Sequence, residues 1–215
     1  MGLTSKYDVF IWDFDGTLFN TYPQITEGYM RVIREYGFDE SAAEVERLAR
    51  ISFGTLDAHL RDKFGAGEAF FRKAGELRRD LAIKYSEPFP EAKRFVFDSL
   101  AEGGRHMIFT HRDERVLEML DRGFGAGVFS DVIYAGSEGF AWKPSPDALN
   151  ALIERNSLDK RRAIMIGDRE IDVVSGKNAG IDSCLIMPYD IAAESCATYK
   201  CATFDDLRRA LCEQA

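Results

Sequence analysis

The chain has 215 residues, 46% of them hydrophobic, which is enough for one well-buried domain with a sizeable insertion or for two small domains. Its formal net charge of -8 argues against a nucleic-acid partner, because binding to phosphate backbones requires a clustered basic face. No stretch approaches the roughly 20 apolar residues of a membrane span, and no signal-peptide core precedes the first predicted strand. We therefore expect a cytoplasmic protein that binds neither a membrane nor nucleic acid.

The hydrophobic pattern of the first half of the chain predicts one apolar strand followed by helices. Between about 22 and 85 the hydrophobic pattern is helical, and the predicted helices span 24–36, 41–51, 55–64 and 68–85. Thr55 is the expected N-cap of the third of these helices, with Gly54 separating it from the second. Pro88 and Pro90 then lead into a predicted helix over 91–101.

From about residue 105 onward, short apolar runs alternate with helical segments. The predicted strands span 106–110, 132–134, 163–166 and 183–186, and the predicted helices span 114–122, 146–155, 170–179 and 204–212. Such alternation favours right-handed crossovers and a parallel sheet. We therefore predict an α/β fold, with a Rossmann-like core formed by 1–18 and 88–215 and a small helical domain, 19–87, inserted into it. If the strand order reverses after the third strand, the crevice between the first and fourth strands is the switch point, where ligands bind.

Two carboxylates follow the first strand. The apolar run 9–12 leads into Asp13, Phe14 and Asp15, and Gly16 provides the sharp turn. Because side chains alternate along a strand, Asp13 and Asp15 are expected on one face. Acidic groups so close together repel each other unless a cation or a shared proton offsets the repulsion. This pattern is typical of a phosphoryl-transfer site.

Three later segments add polar groups at other strand ends. Thr110 and His111 lie at a strand-to-helix junction, which offers a hydroxyl and backbone N–H groups to an anion. Lys143 precedes two prolines that restrict its backbone. Asp168 ends the run 164–168, and Asp172, four residues on, can face the same side of the following helix.

Together these segments resemble, in order, the four motifs of the haloacid dehalogenase-like hydrolases. The resemblance starts from Asp-x-Asp-Gly-Thr at 13–17, extends over essentially the whole chain, and implies that Asp13 is the nucleophile that attacks phosphorus. It implies that Asp15 is the general acid and base. Thr110 would hold the transferring phosphoryl group, with His111 beside it in the phosphate-binding site, and Lys143 would neutralise the charge of phosphate and nucleophile.

The resemblance also implies a metal site. Asp13 and Asp168 would supply carboxylate oxygens and Asp15 its backbone carbonyl, while Asp172 would bind through water or support Lys143. Hard oxygen ligands without a His or Cys cluster favour Mg²⁺ over zinc.

The position of the helical insertion is similar to that of the cap domain in phosphoglycolate phosphatases and β-phosphoglucomutases. This similarity implies a small phosphorylated substrate, such as phosphoglycolate or a sugar phosphate, with Tyr22 and Gly54 as candidate cap contacts, and a monomer or homodimer. One departure is His111-Arg112, where phosphoglycolate phosphatases often have Asn-Lys, although Arg112 could still meet an anionic substrate. Two alternatives stay open: a phosphomutase, and a phosphate-binding protein without turnover.

Overall fold

The computed structural model describes residues 2–134, 137–187, 189–190 and 193–213. They divide into two compact units, one formed by Met1–Phe19 with Pro88–Ala215 and the other by Asn20–Glu87. Within the described ranges, every helix is too short or too polar to cross a bilayer. Each unit has its own hydrophobic core and is described separately.

The first unit contains a parallel six-stranded sheet. Its strands are β1 (Val9–Trp12), β2 (Arg105–Phe109), β3 (Phe129–Ile133), β4 (Ala163–Gly167), β5 (Asp182–Ile186) and β6 (Tyr199–Cys201). They lie in the order β3-β2-β1-β4-β5-β6. The central strands β1 and β4 are buried along their whole length, as expected for a parallel sheet covered on both faces. The predicted Rossmann-like α/β fold is confirmed, and β1 lies between β2 and β4 at the expected switch point.

Five α-helices accompany this sheet in the described part of the first unit. They are α5 (Pro90–Ala101), α6 (Val116–Phe124), α7 (Asp147–Arg155), α8 (Glu170–Ala179) and α9 (Phe204–Glu213). Alternate residues of β1 pack in opposite directions. Val9 and Ile11 share a core cluster with residues of α7, whereas Phe10 contacts Phe95 of α5, with ring centroids 5.4 Å apart. The helices therefore cover both faces of the sheet.

The buried His106 ring has a hydrogen-bond partner at each of its two nitrogens. Trp12 Nε1 donates a hydrogen bond to His106 Nδ1 at 3.0 Å, so the neutral His106 ring carries its proton on Nε2, 2.8 Å from Ser99 Oγ. Burial lowers the pKa of His106 to about 3, because a charged imidazolium in this apolar layer would lose its hydration.

The second unit is helical and contains α1 (Tyr22–Glu35), α2 (Ala42–Ile51), α3 (Phe53–Phe64) and α4 (Glu68–Tyr85). The predicted N-cap of α3 is wrong. Ser52 is the cap, since its Oγ accepts a hydrogen bond from Thr55 N at 2.9 Å. Gly54 consequently lies in the first turn of α3 and does not separate two helices. Sequence spacing alone could not distinguish Ser52 from Thr55, because both residues are good caps.

Two strands and one α-helix of the first unit differ from the predictions by more than one residue. Strand β6 was missed, since it has only three residues and its central Lys200 is exposed. Helix α6 begins and ends two residues later than predicted, whereas β3 begins three residues earlier and ends one residue earlier. The last helix begins as predicted: Asp206 N donates to Thr203 Oγ1 at 3.1 Å and Thr203 N donates to Asp206 Oδ2 at 2.9 Å.

Candidate active site

The polar residues of the candidate site follow the carboxyl ends of three adjacent strands. Asp13 comes directly after β1, Thr110 after β2 and Asp168 after β4. Asp13 N donates to Ile166 O at 2.8 Å, which continues the ladder between β1 and β4 to the residue that carries the carboxylate. Because parallel strands end at the same edge, the sheet itself places these side chains together.

A buried cation lies between two of the aspartates. Lys143 Nζ donates to Asp13 Oδ1 at 2.6 Å and to Asp172 Oδ1 at 2.8 Å, and the lysine side chain is fully buried. Burial raises the pKa of Asp13 to about 6, although Lys143 opposes this shift. Burial alone would lower the pKa of Lys143, but Asp13 and Asp172 more than offset it, so that its pKa is raised. Lys143 therefore remains a cation at neutral pH.

Three carboxylates converge closely enough to share one metal ion. Oxygen atoms of Asp13, Asp168 and Asp172 lie within 4.8 Å of one another, and all three residues are buried. Asp13 Oδ2 is buried and makes no hydrogen bond within the described residues, so this oxygen is available to a cation. Hard carboxylate donors suit a divalent ion such as Mg²⁺. These three residues therefore suit the magnesium ion that the sequence resemblance implies.

Asp172 contributes differently from the other two carboxylates. Its Oδ1 accepts from Lys143, and its Oδ2 accepts from Arg169 N at 3.2 Å. Gly167 permits this arrangement, since a Cβ there would lie 2.3 Å from Asp172 Cγ. Asp172 thus contacts Lys143 directly and also belongs to the group of three carboxylates that could hold a metal ion, so both of its predicted roles stay predictions.

Asp15 does not join the carboxylate cluster through its side chain. Strand β1 ends at Trp12, so Asp13 and Asp15 lie in the following turn, where Gly16 has a φ of +73°. The Asp15 carboxylate faces Arg112, whose Nη2 donates to Oδ1 at 2.6 Å. The guanidinium holds this carboxyl group through charge-assisted hydrogen bonds. The Asp15–Arg112 pair was missed, because residues 97 positions apart leave no local signal.

Thr110 and His111 occupy the junction after β2. Thr110 is buried, and its Oγ1 accepts a hydrogen bond from Arg112 N at 3.2 Å. His111 Nε2 accepts from Lys143 N at 2.9 Å, so this nitrogen carries no proton. Burial, reinforced by Lys143, lowers the pKa of His111 to about 3. The ring therefore fixes the Lys143 loop through Nε2 and carries its proton on Nδ1. A contribution of His111 to phosphate binding stays a prediction.

The two candidate cap residues belong to the helical unit. Tyr22 is buried in the core of that unit, and the Arg50 guanidinium carbon lies 4.0 Å from the centroid of its ring. Gly54 is exposed on α3. Contact of either residue with substrate stays a prediction.

Comparison with known proteins shows the family to which this chain belongs. Residues 10–186 match the family model described as haloacid dehalogenase-like hydrolase. A phosphoglycolate phosphatase of Rhodospirillum rubrum is 30% identical over 91% of this chain and 86% of its own, and a pyrophosphatase, PpaX, of Halalkalibacterium halodurans is 26% identical over 82% and 81%. A haloacid dehalogenase-family hydrolase of Deinococcus radiodurans, solved with bound phosphate and sodium, shares the fold, with a TM-score of 0.80 over 97% of this chain and 96% of its own, at 19% identity. The family match and the phosphatase relatives identify an enzyme. The chain belongs to the haloacid dehalogenase-like hydrolases.

Proposed function

We propose that this enzyme is a magnesium-dependent phosphatase that hydrolyses a small phosphorylated metabolite through an aspartyl-phosphate intermediate. The observation that carries the proposal is the buried carboxylate of Asp13, which has one oxygen on Lys143 and the other without a hydrogen bond in the described residues. A buried carboxylate beside a fixed cation can approach a phosphate dianion, because Lys143 offsets the repulsion between the two anions.

The carboxylates of Asp13 and Asp168 and the backbone carbonyl of Asp15 would hold the metal ion. Magnesium bound there would supply further positive charge to the phosphoryl oxygens. Thr110, at the adjacent strand end, would offer its hydroxyl to the same phosphoryl group, with His111 beside it. Each of these residues lies in the first unit of the structure.

In the first step Asp13 attacks phosphorus, the bond to the leaving oxygen breaks, and Asp15 donates a proton to that oxygen. In the second step Asp15 accepts a proton from the water that hydrolyses the aspartyl phosphate. Arg112 contacts the Asp15 carboxyl group and would hold it in place for both proton transfers.

The substrate class rests on the relatives and on the helical insertion. The relatives named phosphoglycolate phosphatase and pyrophosphatase favour a small phosphorylated molecule. A helical unit of residues 20–87, inserted between the Asp13 and Thr110 segments, is expected to act as a cap that selects the substrate and excludes water. We expect the enzyme to work in the cytoplasm, as a monomer or a homodimer.

The test is release of inorganic phosphate from a panel of small esters and anhydrides, including phosphoglycolate, hexose phosphates and pyrophosphate, with magnesium or with a chelator. Release that requires magnesium and is lost in Asp13→Asn supports the proposal. Asp121→Asn is the matched control, because this exposed aspartate lies on α6, outside the candidate site. An isomeric product without phosphate release would indicate a mutase. Binding of phosphate and magnesium without any turnover would indicate a non-catalytic protein.

A further inference from the structure

Arg112 holds the Asp15 carboxylate through three contacts. Nη2 donates to Oδ1 at 2.6 Å, and Nε lies 2.9 Å from Oδ1 and 3.1 Å from Oδ2. The two side chains are only 10% and 20% exposed, so the pair is shielded from much of the solvent that weakens a surface ion pair. A planar guanidinium in this arrangement fixes the rotation of the carboxylate as well as its position.

Arg112 is itself fixed by its surroundings. Its backbone N–H binds Thr110 Oγ1, and its guanidinium carbon lies 5.3 Å from the centroid of the Phe14 ring. The remaining nitrogen, Nη1, lies 3.9 Å from Met119 Sδ on α6. Contacts with the turn after β1, the end of β2 and helix α6 thus hold Arg112 in place, which makes it a rigid support.

We propose that Arg112 is the positioning residue for Asp15, holding its carboxyl group in one orientation for proton transfer to the leaving group. The proposal rests on the proposed phosphatase function. Oδ1 accepts the two shortest N–H bonds from the guanidinium, and Oδ2 accepts a third, longer one, so that both oxygens of the carboxyl group are held by one rigid fork.

The protons balance over the two steps. When Asp13 attacks phosphorus and the bond to the leaving oxygen breaks, a proton passes from the Asp15 carboxyl group to that oxygen. Asp15 then takes a proton from the attacking water as the aspartyl phosphate is hydrolysed, which restores the starting state and releases inorganic phosphate. Arg112 keeps its charge and its position during both steps, so it touches Asp15 and not the reacting atoms.

The test compares Arg112→Gln with Arg115→Gln on two substrates. Arg115 is the matched control, since it makes a similar two-nitrogen contact with Asp113 but outside the candidate site. The substrates are an alkyl phosphate, whose leaving group needs a proton, and an aryl phosphate with an acidic phenol, whose leaving group does not. The readout is kcat/KM, because it covers the steps up to departure of the leaving group.

We expect Arg112→Gln to lower kcat/KM for the alkyl phosphate at least about tenfold more than for the aryl phosphate, since general acid catalysis contributes roughly 10²–10⁴. Arg112→Lys should rescue only part of the loss, because an ammonium cannot reproduce the forked contact. Arg115→Gln should leave the ratio unchanged. Equal losses on both substrates would mean a merely structural role, and a raised KM with unchanged kcat would mean a direct contact with substrate; either result overturns the proposal.

A crystal structure of Arg112→Gln separates this proposal from the proposed function. Positioning by Arg112 predicts that the Asp15 carboxylate rotates or takes more than one orientation in the variant. An unchanged carboxylate overturns the proposal, whatever the activity. Absence of phosphate release from the wild-type chain would instead refute the phosphatase function.

Discussion

Replacing Gly167 with alanine should break the support of the buried lysine. A Cβ at this position would lie 2.3 Å from Asp172 Cγ and 2.4 Å from its Cβ and Oδ2. Carbon atoms in contact are normally about 3.5–4.0 Å apart, so Asp172 has to move by about 1 Å. Such a movement lengthens both hydrogen bonds of its carboxylate, the 2.8 Å bond from Lys143 Nζ and the 3.2 Å bond from Arg169 N.

The expected cost follows from the burial of the pair. The side chains of Lys143 and Asp172 are both fully buried, and breaking a buried pair typically costs about 3–5 kcal/mol. We expect Gly167→Ala to lower the free energy of unfolding by this amount in urea titrations followed by circular dichroism. Phosphate release should fall with it, because Lys143 loses one of the two carboxylates that fix its position.

Two further variants make the measurement specific. Gly75→Ala is the control, since the nearest atom to its added Cβ is the flexible end of Arg79 at 3.3 Å. In an Asp172→Gly background, Gly167→Ala should cost little more, because the Cβ and carboxylate with which it collides are absent. A loss below about 1 kcal/mol in the wild-type background, less than typical overpacking costs, would refute this reasoning.

Three other predictions concern pH, the buried cation and the metal. The pKa of His106 is about 3 in the folded chain and 6.5 in its ordinary state, so below pH 6.5 the unfolded chain takes up a proton that the folded chain does not. The free energy of unfolding therefore keeps the full contribution of His106 above pH 6.5 and loses up to about 5 kcal/mol as the pH falls towards 3. Between pH 6.5 and 5.5 the free energy of unfolding of His106→Gln should therefore depend less steeply on pH than that of the wild type, and identical slopes would contradict the assignment. Lys143→Met should abolish turnover and destabilise the chain by about 3–5 kcal/mol, because Asp13 and Asp172 then face each other without their cation; a stable, active variant would argue against the role of Lys143. Magnesium at a hundred times its Kd should stabilise the wild type by about 2.7 kcal/mol in thermal unfolding and have little effect on Asp168→Asn, whereas an equal effect on both would place the metal elsewhere.

The sequence predicted the strand ends of the site well, for a physical reason. The runs before Asp13, Thr110 and Asp168 are short, apolar and separated by helical patterns, so a parallel sheet has to bring their carboxyl ends to one edge. Strand β6 lacks such a signal, because two buried residues around an exposed Lys200 do not form an apolar run.

Side-chain pairing could not be predicted in the same way. The resemblance implied that Lys143 neutralises the nucleophile Asp13 and that Asp172 could support Lys143. Nothing in the sequence indicated that His111 Nε2 would accept a hydrogen bond from the backbone N–H of Lys143. The contact between Arg112 and Asp15 likewise depends on how the turns after β1 and β2 lie against each other. These turns are placed by long-range packing, which periodicity and spacing do not describe.

The central claim is that Asp13 forms a covalent bond to phosphorus, and trapping that bond tests it most directly. The enzyme would be mixed rapidly with a radiolabelled phosphate ester and magnesium, quenched in acid and reduced with borohydride, which converts an aspartyl phosphate to homoserine. We predict that the acid-quenched wild type carries the radiolabel and that its reduction yields homoserine at position 13. Asp13→Asn should give neither result. Modification of another residue, or turnover by Asp13→Asn within roughly tenfold of the wild type, would contradict the account.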